Sequence, residues 1–404
     1  MKKYLIMLNP MMLKIIRTIG RKADEEGLKA FLVGGIVRDV ILKKKNLDLD
    51  VVIEGDGIGL AKLLAKKFRA EFKSHPQFGT ATLLLKKMRV DFSSTRKEIY
   101  PYPGSLPHVQ KGSLRDDLLR RDFTINAMAI AINSGKFGEL IDPFQGLKDL
   151  KMGKIRVLHN KSFLDDSTRI LRAIRFEQRF HFHIKAKTLR LLKRALLTRI
   201  VFNVHPHRYF NEVRKIFKEP VPGKCLWRLK QLGGLKLIHP RLSINFSLVN
   251  SLKKNANRTL YLLILFKNLS LKNFQVVLKK FPFLKEERES LLQSRKGTEI
   301  RKKLSKRFLK PSDGYQILNP FHEGVVLYWK MTILDPQIVS RINRFLTKDR
   351  FVTLQLKGDD LQKIGFPSGE KMGEALKTVL YEKIDRGFKT KQEELNFAKR
   401  GVLL

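Results

Sequence analysis

The stretch that most constrains this chain is residues 32–53, LVGGIVRDVILKKKNLDLDVVI. An apolar run stops at Gly34-Gly35, and Arg38 and Asp39 follow one helical turn later. After a basic loop, Asp48 and Asp50 flank one leucine and lead into Val51-Val52-Ile53. Alternate residues of a strand share a face. Asp48 and Asp50 therefore project together, and Leu47, Leu49 and Val51 face the core. Two carboxylates held side by side repel unless a cation sits between them. Hard oxygen ligands suit Mg²⁺, which keeps open positions for substrate phosphates. Lacking Cβ, Gly34 and Gly35 let backbone N–H groups approach a phosphate closely, and Arg38 adds positive charge. Alone, the Asp pair is a polar strand end and the glycine pair a turn; their order in one short stretch is what carries information.

Charge narrows the partner. The 404 residues hold 82 Lys and Arg against 38 Asp and Glu, a net charge of +44, within a globular composition that is 43% hydrophobic. A polyanion is the natural partner, and nucleic acid fits better than membrane because no long apolar span occurs. A single cysteine, Cys225, excludes an internal disulfide and a cysteine-based zinc cluster. The opening MKKYLIMLNPMMLKII has a signal-peptide look, but Asn9-Pro10 breaks the apolar run and no small-residue cleavage site follows. The expectation is a cytosolic N-terminus and a cytoplasmic protein.

Taken in order, residues 12–30 have helical periodicity, 31–33 read as the first strand and 36–43 as the helix after the glycines. Residues 58–72 read as an amphipathic helix with Leu60, Leu63, Leu64 and Phe68 on one side. Residues 80–85 and 88–92 read as a hairpin around Lys86-Lys87, with Asp91 on its second strand. Residues 93–113, rich in Pro, Gly, Arg and Lys, read as a long loop, either functional or a plain linker. In RRDFTINAMA, Arg120, Arg121, Asp122 and Asn126 cluster within two turns, and Ile125, Met128 and Ala129 supply a core face. The planar fork of arginine suits a triphosphate, and Asn126 suits a ribose or phosphate. Within FLDDSTRILRAIRF, Asp166 and Arg169 are three apart and meet on one helical face. That spacing describes an ordinary surface ion pair. It also describes a base reader: a carboxylate accepts from the amino group of cytosine or adenine while a guanidinium donates to the adjacent ring nitrogen. Uracil and guanine present the reverse order and would leave both groups unpaired. Arg208 and Glu212, at i, i+4, are expected to pair and brace this helix. From about Leu226 the pattern is helical almost throughout, with Lys and Arg on the outer faces, and Thr390 and Glu393 form a capping box for the last helix.

These motifs resemble those of the class II tRNA nucleotidyltransferases, the family of CCA-adding enzymes and bacterial poly(A) polymerases. G-G-x-V-R-D followed by D-x-D, then RRDFTINAMA, LIDPFQGLKDL and DDSTR stand in the family's order, and the tail resembles the family's tail. Gln145 replaces the first of two glycines in the family's D-P-F-G-G, and Asp165 replaces the Glu of its E-D-x-x-R. The resemblance implies an α/β nucleotidyltransferase head, with a mixed sheet and helices, followed by an all-α C-terminal region. The implied domains are a catalytic head over 1–155, a neck with the base-selecting helix over 156–220, a helical body over 221–300 and a tRNA-binding helical tail over 301–404. It implies transfer of CMP or AMP to the 3′ end of tRNA with release of pyrophosphate, on two Mg²⁺ ions bound by Asp48 and Asp50, with Asp91 as a third carboxylate or merely an aspartate closing a strand. Gly34, Gly35, Arg38, Arg120, Arg121, Asp122 and Asn126 are the implied triphosphate and sugar ligands. Asp166 and Arg169 are the implied base selectors, with Arg172 and Arg175 as further nucleotide contacts. Partners are tRNA and CTP or ATP, with no membrane and no obligate protein partner. Poly(A) polymerase, CC-only or A-only addition, and a catalytically idle RNA-binding protein remain open readings.

Overall fold

Asn9 starts the first helix, its Oδ1 accepting from the Met12 N–H at 2.8 Å, with Pro10 at the first helical position. The computed structural model describes residues 4–5, 8–44, 48–85, 88–252 and 256–401. Two sequence expectations, Leu47 on the core face and the Lys86-Lys87 turn, lie outside these residues, as do parts of the opening MKKYLIML. The chain divides into two compact units, Met1–Pro240 and Arg241–Leu404.

In the first unit, α1 (Pro10–Glu25), β1 (Lys29–Val33), α2 (Gly35–Ile41), β2 (Asp48–Glu54) and α3 (Gly57–Phe68) are followed by β3 (Glu71–His75), β4 (Thr80–Leu85) and β5 (Met88–Ser94). Next come β6 (Arg96–Ile99), β7 (His108–Lys111), α4 (Leu114–Leu119), β8 (Ala129–Ala131), β9 (Leu140–Ile141), α5 (Gly146–Lys151) and β10 (Lys154–Ile155). The unit continues with α6 (Ser162–Asp165), α7 (Thr168–Phe180), β11 (His183–Ile184), α8 (Ala186–Leu197), α9 (Pro206–Ile216) and α10 (Pro222–Gln231). Seven strands form one sheet in the order β3-β4-β5-β2-β1-β8-β9. It is mixed, since β2 and β5 run parallel while β1 is antiparallel to both β2 and β8. Leu49, Val51, Val52 and Ile53 are all buried, so β2 is covered on both faces beyond its two aspartates.

Three expectations need correction. The helix read over 58–72 stops at Phe68, because Arg69 turns left-handed at φ 50° and caps it; Phe72 lies in β3. Its buried stripe is Leu60, Ala61, Leu64 and Ala65, and Leu63 is exposed. The loop over 93–113 contains a hairpin in which β6 pairs antiparallel with β7. RRDFTINAMA is not continuous helix. After α4 the Asp122 carboxylate accepts from the Phe123 N–H at 2.8 Å, a local bond that competes with helix. The chain then makes a single 3₁₀ turn at Thr124–Asn126 and enters β8.

Asp142 starts α5, accepting from the N–H groups of Gly146 at 2.7 Å and Leu147 at 2.9 Å. A Cβ at Gly146 would lie 2.2 Å from the Thr124 carbonyl oxygen, so glycine is required there. Gln145, before it, holds φ 59° and ψ 35°, a left-handed conformation costly for a residue with a Cβ. Gln145→Gly is expected to stabilise the fold by about 0.5–1 kcal/mol, the strain relieved less the extra chain entropy of glycine. Urea melts of the two proteins check this; a lower midpoint for the glycine variant would refute it.

All described regular elements of the second unit are helical, from Phe246–Asn250 to Lys391–Gly401. The Thr390–Glu393 capping box forms: the Thr390 N–H donates to Glu393 Oε2 at 2.9 Å and the Glu393 N–H to Thr390 Oγ1 at 3.2 Å. Glu394, fully buried, accepts from the backbone of Gln355 and Leu356 and from Lys383. That ties the last helix to a small core of Leu356, Leu361, Ala375, Val379 and Ala398. Among the described residues no helix is long and apolar enough to cross a membrane.

Candidate active site

Strand register brings the carboxylates together. β2 pairs in parallel with β5 so that Asp50 lies beside Asp91 and Asp48 beside Arg89. Asp91 is held by Arg89 at 2.8 Å and by the Thr82 hydroxyl at 2.5 Å. Burial pushes the Asp50 pKa up to about 6; Arg121 opposes the rise, while the charges of Asp91 and Asp48 add to it. Gly34, at φ 71°, makes room beside this carboxylate: a Cβ there would meet Arg121 Nη1 at 2.7 Å and Asp50 Oδ2 at 3.7 Å.

The arginines of RRDFTINA are set by a residue that sequence reasoning passed over. Asp117, fully buried on α4, takes Arg120 at 2.7 Å and Arg121 at 2.8 Å, three and four positions on. Burial pushes its pKa up, but these two guanidinium groups outweigh that and hold it below the usual carboxylate range. Its signal in the sequence was the i, i+3 and i, i+4 spacing itself. Glu98, from β6, pairs with Arg120 at 3.0 Å and accepts from the Tyr100 hydroxyl at 2.9 Å. The hairpin within 93–113 therefore contributes side chains to the site.

Arg38 does not extend freely toward a ligand. It is buried, donates to Asp39 at 2.8 Å and to Asn126 Oδ1 at 2.7 Å, and lies over the rings of Phe176 and Phe180. Asn126 in turn donates to Asp122 at 2.8 Å. Asp122 receives Arg172 through two nitrogens, at 2.8 and 2.5 Å. Burial pushes its pKa up, but Arg172 and the Asn126 amide outweigh that and hold it at about 2. Arg172 also reaches Glu212 at 3.4 Å, and Arg175 lies 3.6 Å from Glu212 and 3.2 Å from Glu219. One connected set of charges thus joins α2, the RRDFTINA segment, α7 and α9.

The base-reading pair is assembled differently from the sequence expectation. Asp166 does not pair with Arg169, nor Arg208 with Glu212. Asp166 has extended backbone, φ −140° and ψ 95°, and precedes α7, so helical i, i+3 geometry does not apply to it. Its carboxylate caps Thr168 and takes Arg208 from α9 at 2.8 Å. Arg169 donates to the Ser162 hydroxyl and to the Arg120 carbonyl oxygen, both at 2.7 Å. Both side chains nevertheless line the same cavity.

That cavity, about 820 Å³, is lined by Gly34, Gly35, Asp48 and Asp50 at one end and by Asp166 and Arg169 elsewhere, with eight arginines around it. Every nucleotide-binding residue named from the sequence lines it; Asp91 lines an adjoining one instead. Missed were Glu98, Tyr100, Arg179, Asn211 and Lys215, while Arg208 and Glu212, expected only as a brace, line it as well. Among the described residues no three His, Cys, Asp or Glu side chains are arranged to enclose a metal ion. Two strand carboxylates still fit Mg²⁺, which characteristically takes one or two carboxylates and completes its shell with water and substrate phosphates. Burial first, and then the charges of Asp91 and Asp48, raise the pKa of Asp50, and a cation at this carboxylate would favour its ionised form.

Residues 30–156 match the model of the poly A polymerase head domain. The chain is 35% identical to the A-adding tRNA nucleotidyltransferase of Geobacter sulfurreducens, over 96% of this chain and 46% of that protein. It spans about half the length of the curated relatives it matches. Among solved structures, a CCA-adding enzyme in an apo form superposes with TM-score 0.78 at 31% identity, covering 98% of this chain and 96% of that one. The Thermotoga maritima CCA-adding enzyme complexed with tRNA gives TM-score 0.74 at 30% identity, covering 98% and 97%.

Proposed function

Because the chain belongs to the family of CCA-adding enzymes and related tRNA nucleotidyltransferases, we propose that it transfers nucleoside monophosphates from ATP or CTP to the 3′ end of tRNA, releasing pyrophosphate. The observation that carries this is the one cavity lined together by Asp48 and Asp50, the Gly34-Gly35 turn, Asp166 and Arg169. The net charge of +44 suits a tRNA partner, and phosphate contacts of that kind position RNA without reading its sequence. Such a substrate assigns the protein to the cytoplasm.

Each residue then has a task. Asp48 and Asp50 would hold Mg²⁺, whose chemistry is to polarise the phosphoryl oxygens and lower the pKa of a bound hydroxyl. Gly34 and Gly35 offer backbone next to the phosphates. Arg121, fixed by Asp117 and with its buried Nε unpartnered, supplies N–H groups to the triphosphate. Arg38 acts by holding Asn126 rather than by direct contact. Asp166 accepts twice from Thr168 at Oδ1, but Oδ2 takes only Arg208 and keeps a second lone pair for an exocyclic amino group. Arg169, fixed by Ser162, donates beside it.

Asp166→Ala is expected to lower the preference for ATP and CTP over GTP and UTP by at least about tenfold, the loss of one charge-assisted hydrogen bond. Single-nucleotide incorporation with each NTP measures it, and unchanged selectivity would refute the base-reading role. The nucleotide favoured is AMP, since the Geobacter relative that matches along almost the whole chain is an A-adding enzyme. Three tRNA transcripts, ending at the discriminator base, in C and in CC, test this with ATP, CTP and both. Extension only from CC to CCA supports A-addition. Growth of the first to CCA or to CC alone assigns the other activities, long A-tails assign a poly(A) polymerase, and no incorporation with Mg²⁺ assigns an idle RNA-binding protein.

A further inference from the structure

Two neighbouring pairs tie the start of α7 to the first turn of α9. At the cavity wall, Asp166 takes Arg208 at 2.8 Å. Behind it, the next residue of each segment makes a second link: the hydroxyl of Ser167 bonds that of Tyr209. The Tyr209 hydroxyl donates to the carbonyl oxygen of Val201, in the short 3₁₀ segment Arg199–Asn203, and so accepts from Ser167. Ser167 Oγ lies 3.3 Å from the same carbonyl oxygen.

The chemistry of this triad exceeds what packing needs. Ser167 stands at the N-cap of α7, where a serine ordinarily accepts from the N–H groups of its own helix. It makes no such bond; Asp166 takes the Thr168 N–H, and the Ser167 hydroxyl is diverted to Tyr209. Ser167, Tyr209 and Val201 are almost wholly buried, and none of the three lines the nucleotide cavity. A phenylalanine would fill nearly the same volume with no hydroxyl to desolvate, so the hydroxyl supplies direction rather than bulk. Burial holds the Tyr209 phenol well above its ordinary range, which keeps it a donor at neutral pH.

That direction bears on Asp166. A carboxylate that accepts from an exocyclic amino group must stand about 2.7–3.2 Å from it, and rejection of the wrong base depends on groups left unpaired at that spot. Asp166 precedes α7 on extended backbone, and its ion-pair partner Arg208 is partly exposed. The buried hydroxyl pair is therefore the firmer of the two links. We infer that Tyr209, acting through Ser167, is a positioning residue that sets Asp166 for base selection. The inference rests on the transferase reading above and on the task given there to Asp166.

The experiment compares wild type, Tyr209→Phe and Ser167→Ala, each also combined with Asp166→Ala. It reads kcat/KM with Mg²⁺ for ATP against GTP on a transcript ending in CC, or for CTP against UTP on one ending in C if that is what wild type extends. The preference for the correct nucleotide is expected to fall about two- to tenfold in each single variant, the range for one hydrogen bond. In the Asp166→Ala background neither substitution lowers it further, because both act through that carboxylate. Inorganic tripolyphosphate, which has no base, inhibits both single variants with a Ki within about twofold of wild type. An unchanged preference in either folded variant, a loss that persists without Asp166, or a tripolyphosphate Ki that rises in step with the loss overturns the inference. If Tyr209→Phe fails to fold, Ser167→Ala decides by the same criteria. A wild type that extends no transcript would instead defeat the transferase reading, and the ratio of ATP to GTP binding without RNA then decides for Tyr209.

Discussion

Asp50→Asn is expected to reduce nucleotide transfer by about a thousandfold or more while raising the melting temperature of the metal-free protein. The first effect follows from removing half of the carboxylate pair that would hold the metal; loss of one such electrostatic group costs roughly 10²–10³ in rate in other enzymes, and a metal ligand costs at least that. The second follows from the sign of the pKa shift. Burial and the neighbouring Asp91 and Asp48 raise Asp50 from 3.8 to about 6, against the pull of Arg121. A carboxyl whose folded pKa is raised stabilises the fold below its unfolded pKa, and that stabilisation is lost as pH rises through the folded value. At pH 7 in EDTA the ionised Asp50 therefore costs up to about 3 kcal/mol, which asparagine removes. Melts at pH 5 and pH 7 separate the cases: the gain should be larger at pH 7. A variant that still transfers nucleotide, or that melts lower at pH 7 in EDTA, would contradict this placement of Asp50.

Asp122→Ala carries the other large effect. Its carboxylate is buried and receives Arg172 through two bonds and Asn126 through one. Removing it takes from Arg172 its two-bond partner and leaves that guanidinium only the 3.4 Å contact with Glu212, which costs about 3 kcal/mol, the low end for a broken buried pair. Asn126 also loses the partner that aligns it with Arg38, so the nucleotide KM should rise in whatever fraction folds. The folded pKa of Asp122 is lowered from 3.8 to about 2, so its stabilisation is present above about 4 and is lost as pH falls through 2. Urea midpoints of wild type and variant should differ most near pH 6 and converge as pH drops below about 4. A variant as stable as wild type at pH 6 would show that the network is not a support of the site.

Local patterns carried much of the architecture. The glycine turn, α2, β2 and the 80–92 hairpin strands were legible because each depends on period and turn chemistry over a few residues. Boundaries were lost where a single residue ended an element, as Arg69 does for α3 and Asp122 does after α4. The hairpin inside 93–113 was hidden by its Pro and Gly content, since β6 and β7 are only four residues each.

The sequence by itself determined that Asp48 and Asp50 share a face, because the alternation of a strand needs no partner to enforce it. The nucleotide-binding candidates named from the sequence all line one cavity, but Asp91 lines an adjoining one, and Glu98, Tyr100 and Lys215 were not among them. Only the tertiary structure decided how those residues are held. Asp166 turns to Arg208 rather than Arg169, Arg38 is locked to Asn126 eighty-eight positions away, and Asp117 fixes both arginines of the central motif. The reason is physical: a buried charge takes the partner that packing brings within reach, and spacing along the chain sets that partner only where both residues lie on one helix.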